Sequence, residues 1–401
     1  MRPLRIVLVT RRYWPLVGGA ETIMASLAVE FRRLGAMTTI LTAQWDKTWP
    51  TSCVLDDVPI IRLPQPTRRG WGTLRYMNHL HRWLRKYQTD FDVVYVSMLK
   101  HDAYTAIGAL ASTTIPIVLR AEGGGPTGDC QWQRESHFGN RIRARCLQAN
   151  GLVAISPAIY EELIREGYPG AHIHRIDNGV APSTPINQNP RQAARQSLAE
   201  ANTELQFPPG AKLAVYSGRL HPGKGLKHLI EAWPRVLKDW PTARLWLVGE
   251  GEERATLREL IHAHGLTNHI ALPGIFDSLD DVLAAADLYI LPSFEEGMSI
   301  GLLEAMARGL PTVATDIPGN RAMAQHGVTS QLVPPGDTIA LAAAIRQVWS
   351  DDQTANRMSS AARERLVRQF SLKSVAQRHL ELFEHLVADK NQPRIEPNKT
   401  T

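Results

Sequence analysis

The sequence predicts an α/β protein of two domains, each a doubly wound parallel sheet. Three observations predict it. Short β-branched apolar runs alternate with amphipathic stretches along the chain, the pattern of repeated βαβ units. The pattern pauses at APSTPINQNP (181–190), a linker composition rich in Pro, Asn and Ser, and then starts again in the same style. A length of 401 residues also exceeds what one hydrophobic core ordinarily organises.

In the first half, RIVLV (5–9), TTILT (38–42), VVYV (93–96), PIVL (116–119) and GLVAI (151–155) read as buried strands. A strand covered on both faces is apolar throughout rather than alternating. Helices are expected between them over 20–34, 71–87 and 157–166. In the second half the strands are KLAVYSG (212–218), RLWLVGE (244–250), DLYILPS (287–293) and PTVATD (311–316). Helices near 226–238, 252–264, 278–286 and 299–308 separate them. The stretch FSLKSVAQRHLELFEHLV (370–387) has the stripe of a late amphipathic helix, with Ser371 as its N-cap.

The expected organisation is a first domain over 1–184 and a second over 185–369. A helix over 370–388 then packs back on the first domain, and 389–401 form a flexible polar tail. Two such sheets facing one another enclose a cleft at the carboxyl ends of their strands, where doubly wound sheets take ligands.

Composition narrows the class. The chain is 44% hydrophobic and 21% charged, which excludes a disordered protein. Cys53, Cys130 and Cys146 have no paired or metal-like spacing, which points to a reducing compartment. The apolar run Ile6–Val9 is cut off by Arg11 and Arg12, too short for a secretory signal, and nothing approaches the roughly 20 apolar residues of a membrane span. The expected location is cytoplasmic, with peripheral attachment to the inner face of the membrane as an option. Residues 1–180 hold 22 Lys+Arg against 15 Asp+Glu, net +7, while 181–401 hold 23 against 24, net −1. The first half therefore carries all the excess positive charge and is suited to an anionic surface or a phosphorylated acceptor. The segment RRGWGTLRYMNHLHRWLRKY (68–87) alternates cations with Trp, Leu and Tyr, a composition that fits an anionic membrane or the inward face of an ordinary helix. No nucleic-acid reading motif accompanies the charge.

Two stretches carry chemistry. In YSGRLHPGKGL (216–226), Gly218 and Gly223 free the backbone while Arg219 and Lys224 supply cations just before a helix, an arrangement suited to phosphate. The spacing Gly218-x4-Gly223-Lys224 mimics a Walker loop, but Gly225 stands where that loop needs Ser or Thr. In FEEGMSIGLLEAMARGLPTVATD (294–316), Glu296 lies in the loop after a strand and Glu304 within the helix that begins near Ser299. A carboxylate there can accept hydrogen bonds from paired hydroxyls.

Together these residues resemble the retaining glycosyltransferases of the two-Rossmann GT-B type, particularly family 4. The resemblance rests on Glu296-x7-Glu304, on SGRLHPGKG, on LVGEGEE (247–253), on IDNGV (176–180) and on YWPLVGGAE (13–21), in the family's order and spacing. It implies transfer of a sugar from a UDP-, GDP- or ADP-sugar to a saccharide or lipid-linked acceptor, with no cofactor and no metal. Arg219 and Lys224 would neutralise the departing diphosphate, Glu304 would bind the ribose, and Glu296 the hydroxyls of the transferred sugar. Backbone groups of Met298, Ser299 and Ile300 would line the sugar and phosphate pocket, with Met298 standing where Phe is common. Gly18 and Gly19 would admit the diphosphate from the first domain, and the base would lie near Gly274 and Ile275. One departure concerns PIVLRAEGGGPTGD (116–129), where family members often carry a histidine and this chain has Glu122. Glu122 then either takes over the sugar contact or forms a structural pair with Arg120. Asp90-Phe91-Asp92 matches the D-x-D of metal-dependent transferases but begins a strand instead of ending one, so Asp92 reads as a strand-edge acid. The rival readings are an epimerase or hydrolase of nucleotide sugars on the same frame, and a non-catalytic binder.

Overall fold

The computed structural model describes residues 2–16, 18–65, 71–182, 188–206 and 208–389. The chain divides into two compact units, 1–179 with 372–401, and 180–371. The expected boundary near 185 lies outside the described residues, and the last three positions of the linker stretch open a helix.

The first unit begins with β1 (Arg5–Val9), α1 (Gly19–Arg33), β2 (Met37–Gln44), β3 (Ser52–Leu55) and β4 (Val58–Pro64). It continues through α2 (Trp71–Lys86), β5 (Val93–Ser97), α3 (His101–Ala109) and β6 (Ile117–Ala121). It then adds α4 (Asp129–Glu135), α5 (Gly139–Cys146), β7 (Gly151–Ala154), α6 (Pro157–Arg165) and β8 (Ile173–Arg175). The sheet order is β3-β4-β2-β1-β5-β6-β7-β8. All neighbours are parallel except β3 and β4, which form an antiparallel hairpin at the edge. Strands β5 and β6 are buried at every position, as uninterrupted apolar runs require when both faces are covered.

The second unit opens with α7 (Gln188–Ala201), β9 (Leu213–Ser217), α8 (Leu226–Val236) and β10 (Arg244–Val248). Next come α9 (Arg254–Ala263), β11 (Ile270–Gly274), α10 (Asp280–Ala285), β12 (Leu288–Leu291) and α11 (Ile300–Arg308). It closes with β13 (Thr312–Thr315), α12 (Pro318–Met323), β14 (Gln331–Val333), α13 (Thr338–Ser350) and α14 (Asp352–Arg365). Its six strands run parallel in the order β11-β10-β9-β12-β13-β14.

The last helix, α15 (Leu372–Ala388), belongs to the first unit. Phe383 meets the ring of Phe31 on α1 edge-on at 5.8 Å, and His379 Nε2 lies 2.9 Å from the Tyr95 hydroxyl on β5. Both His379 and Phe383 are fully buried, so the helix is anchored mainly by its apolar face, with polar contacts from His379 to Tyr95 and from Arg378 to Asp177.

Asp92 immediately precedes β5 and accepts from Arg5 Nε at 3.1 Å and Arg2 Nη2 at 2.8 Å. Arginine at the strand start thus accounts for the acid of the D-x-D stretch.

Candidate active site

In a doubly wound sheet, ligands gather where strand order reverses and neighbouring connections part to opposite faces. In the second unit that point lies between β9 and β12. The segments that matter are 218–225, leaving β9, and 292–300, leaving β12.

The two segments are laced together. The Phe294 N–H donates to the Gly223 carbonyl at 2.8 Å. Gly225 has φ +66°, and a Cβ there would fall 2.1 Å from the Pro292 carbonyl oxygen. Only glycine satisfies both demands, which explains why this position holds no Walker-type hydroxyl.

A single turn, Pro222–Lys224, is capped by His221, whose Nδ1 accepts from the Gly223 N–H at 3.1 Å. It directs Lys224 across to the neighbouring loop. Lys224 Nζ donates to Glu296 Oε1 at 2.7 Å, and Ser293 Oγ donates to the same oxygen at 2.7 Å. The two charged side chains are 25% and 9% exposed. Among the described residues nothing bonds to Glu296 Oε2, and Lys224 keeps donors to spare.

Ser299 caps α11, its Oγ accepting from the Leu302 N–H at 3.3 Å. The remaining first-turn N–H groups have no helical partner and favour an anion. The helix sits directly on the strand ends: a Cβ on Gly301 would lie 2.2 Å from the Tyr289 hydroxyl and 2.8 Å from Ser217 Oγ. One turn further on, Glu304 is half-buried and has no hydrogen-bond or ion-pair partner among the described residues. Burial pushes its carboxyl up to about 7.

Arg219 lies apart from this group. Its side chain is 66% exposed and meets Glu252 at 3.3 Å, and Glu252 also lies 3.5 Å from His221. The strand ends continue in series. The Gly218 N–H donates to the Val248 carbonyl at 3.0 Å, and the Gly249 N–H to the Gly274 carbonyl at 2.8 Å. Beyond Gly274, Ile275 is 67% exposed. Met298 and Ser299 are buried at the loop's end.

In the first unit, Gly18 precedes α1 in extended conformation and Gly19 begins it. A side chain at 18 would collide with Glu21, whose Oε2 lies 2.5 Å from the Cβ position. Burial raises the Glu21 carboxyl. Glu122 follows β6, and its Oε1 accepts from Arg120 Nε and from Ser97 Oγ, both at 2.8 Å. Arg120 is fully buried and also donates to Asn178. Burial, the largest influence, raises the Glu122 carboxyl, and Arg120 opposes it.

Among the described residues no group of three or more His, Cys, Asp or Glu could hold a metal ion. Sequence reasoning misses His221, Ser293, Glu252 and Tyr289. Glu252 stands inside LVGEGEE and could have been noticed there; the others carry no pattern of their own.

The family model described as Glycosyltransferase Family 4 matches residues 17–184, and that described as Glycosyl transferases group 1 matches 199–365. The lipopolysaccharide core biosynthesis glycosyltransferase LpsE of Rhizobium meliloti is 32% identical over 46% of this chain and 54% of its own. An alpha-maltose-1-phosphate synthase of Mycobacterium tuberculosis is 27% identical over 96% of this chain and 100% of its own. The crystal structure of Anabaena HepE in complex with UDP-glucose superposes with a TM-score of 0.77 at 20% identity, covering 95% of this chain and 100% of that one. The matched stretches span 24% to 56% of the length of the first curated relatives.

Proposed function

The chain belongs to the glycosyltransferases of the family 4 type on the GT-B fold, and from that premise we propose that it is a retaining, metal-independent sugar transferase. The donor is a nucleotide sugar, and the acceptor a saccharide or lipid-linked saccharide at the cytoplasmic face of the membrane. The observation that carries this reading is the grouping, at one reversal point, of Lys224, Glu296, the capped start of α11 and Glu304, which has no partner among the described residues.

Breaking a sugar–phosphate bond builds negative charge on the diphosphate and positive charge at the anomeric carbon. Lys224 and the first-turn amides of α11 are fixed before reaction, so they stabilise the leaving group without reorganising. Arg219 is free to leave its exposed contact with Glu252, since such pairs are worth roughly 0–1 kcal/mol. Glu304 accepts the ribose hydroxyls, Glu296 those of the sugar, and the backbone of Met298 to Ile300 lines the pocket. Gly274 and Ile275 border the base. Gly18 and Gly19 keep the start of α1 open to a phosphate. The acceptor oxygen bonds to the anomeric carbon on the face from which the diphosphate departs. The carbon–oxygen bond to phosphate breaks, and the acceptor proton passes to a departing phosphate oxygen.

A relative of this fold has been crystallised with UDP-glucose, which supports a nucleotide-sugar donor here. Helix α2 supports peripheral attachment to an anionic surface: it buries Tyr76, Leu80 and Leu84 and turns Arg75, Arg82, Arg85, Leu74 and Trp71 outward. Residues 66–70 of that stretch lie outside the described residues. No helix among the described residues is long and apolar enough to cross a membrane.

Incubation with UDP-, GDP- and ADP-sugars and extracted glycan acceptors, with EDTA present, tests the reading. The expected products are nucleoside diphosphate and a new glycoside of the donor's anomeric configuration. An altered sugar without transfer identifies an epimerase; strict dependence on added metal, or inverted product, overturns the mechanism.

A further inference from the structure

The first unit holds a cluster that the roles above leave unassigned. It lies at the carboxyl ends of β1, β2, β4 and β5, spanning the reversal point of that sheet between β1 and β5. Arg11 follows β1 and is half-buried. Its guanidinium lies 5.7 Å from the centre of the Trp45 ring and 5.4 Å from that of Tyr76. Nε donates to Gln65 at 3.1 Å and Nη2 to Thr73 at 2.7 Å. Lys100 follows β5, with Nζ 5.3 Å from the centre of the Trp132 ring, which His101 meets edge-on at 5.2 Å.

These cations are oriented by rings and neutral groups without an ion-pair partner among the described residues. Rings and neutral amides hold a cation in place while leaving its charge available, whereas a carboxylate would cancel it. Among the described residues neither Arg11 nor Lys100 enters an ion pair, although Arg5 is given Asp92, Arg120 Glu122 and Arg195 Asp287. Arg62 also lacks a carboxylate, but it is sealed between Trp14 and Trp49 and spends its donors on the carbonyls of Pro50 and Trp14. Arg11 and Lys100 are half-buried, each keeping part of its surface in solvent. The acids close by feel these charges, Asp102 that of Arg11 and Asp129 that of Lys100, but neither closes an ion pair with them among the described residues, and burial raises both carboxyls against that attraction. Asp102 is buried and takes the Tyr76 hydroxyl at 3.2 Å, and Asp129 is buried and accepts from the N–H groups of Leu99 and Glu122.

We infer that Arg11 and Lys100 form an anion subsite for the acceptor, which is a saccharide bearing a phosphate or carboxylate. The word acceptor rests on the transferase reading; the anion subsite does not. Calorimetry on the full chain separates the two, with glucose 6-phosphate, glucuronate and neutral glucose as probes, and UDP measured in parallel. The charged sugars are expected to bind at least about 10-fold more tightly than glucose and to weaken with added salt. Arg11→Gln and Lys100→Met should each erase about 10-fold of that preference and leave UDP binding unchanged. Arg11→Lys, which keeps the charge, should recover part of it and guards against a folding defect. A preference for glucose 6-phosphate names phosphate as the recognised group; one for glucuronate names carboxylate. Charged sugars binding no better than glucose, or both variants retaining the preference, refutes the subsite. UDP weakened along with the sugars refutes it too, because the cations would then serve the donor. If UDP fails to bind wild type while the charged preference stands, the donor reading fails and the subsite survives.

Discussion

Glu304 offers the sharpest test, because one substitution moves stability and donor binding in opposite directions. Its carboxyl is pushed up to about 7 by burial, with no cation to offset it. An unfolded-chain glutamate titrates near about 4.3. Between those values the native state holds a proton that the unfolded state has released, so stability falls as pH rises through this window. The deficit is absent below about pH 4 and complete above about pH 7. At about 1.36 kcal/mol per pKa unit it reaches roughly 3–4 kcal/mol. Glu304→Gln removes the titration, so urea unfolding at pH 5 and pH 8 should show the variant gaining about 2–3 kcal/mol on wild type over that interval. Ribose hydroxyls donate to the ionised form, so wild-type affinity for UDP-glucose should fall about 10-fold for each pH unit below 7. A nucleotide sugar has no terminal phosphate ionisation to imitate this, and the Gln variant should bind weakly with no such slope. Identical pH slopes of stability in the two proteins, or a flat wild-type affinity from pH 6 to 8, would falsify the assignment of Glu304 to the ribose.

Lys224→Ala should lower turnover about 100-fold or more, the loss seen when one preorganised donor to a developing oxyanion is removed, and Arg219→Ala similarly if Arg219 swings onto the diphosphate. Glu252→Ala is the control and should change stability by less than about 1 kcal/mol, since it removes only the contacts of a largely exposed carboxylate with Arg219 and His221. Steady-state kinetics on the three variants decides, and normal rates in Lys224→Ala remove the leaving-group role. Gly301→Ala should cost about 1–3 kcal/mol in thermal unfolding, because the new methyl must displace α11 from Tyr289 and Ser217. An unshifted melting temperature would show that the helix can ride outward freely. Sedimentation with phosphatidylserine vesicles should capture the protein at low salt, and Arg75→Glu/Arg82→Glu should abolish capture; retention by that variant rules out α2 as the contact.

The fold was legible because parallel strands covered on both faces are uninterrupted apolar runs, and β1, β5, β9 and β12 all have that character. The hairpin of β3 and β4 was not. Its turn uses Asp56 and Asp57, both with positive φ (50° and 63°), where the familiar signal is Asn-Gly or Asp-Gly. The edge position of β3 exposes alternate residues, so its apolar run is short and broken. Strands β8 and β14, three residues each, are too brief for any periodicity to register. At the site, Glu296 and Glu304 could be placed on a loop and a helix from local pattern. The bond between Lys224 and Glu296 could not, since it joins two loops whose neighbourhood is set by strand order alone. The same holds for Arg11 and Lys100, which look like scattered surface charges until the sheet brings β1 beside β5.

Glu122 shows why a loss of activity would not by itself reveal a catalytic role. Arg120 is wholly buried, and Glu122 is its one ion-pair partner among the described residues. The other groups around it, Asn178, Tyr95 and His379, are neutral; burial pulls His379 down to about 3, so it stays uncharged. Glu122→Ala therefore leaves a buried cation unanswered and should cost about 3–5 kcal/mol whether or not the carboxylate ever meets a sugar. Replacing both partners, Arg120→Met with Glu122→Leu, removes the uncompensated charge and should return stability to within about 1 kcal/mol of wild type. Turnover in that double variant then separates the roles. If Glu122 replaces the family's histidine at the sugar, activity stays low in a well-folded protein. If the pair only anchors β6 against β5 and α15, activity recovers along with stability, and the acceptor side must find its polar contact elsewhere on the unit.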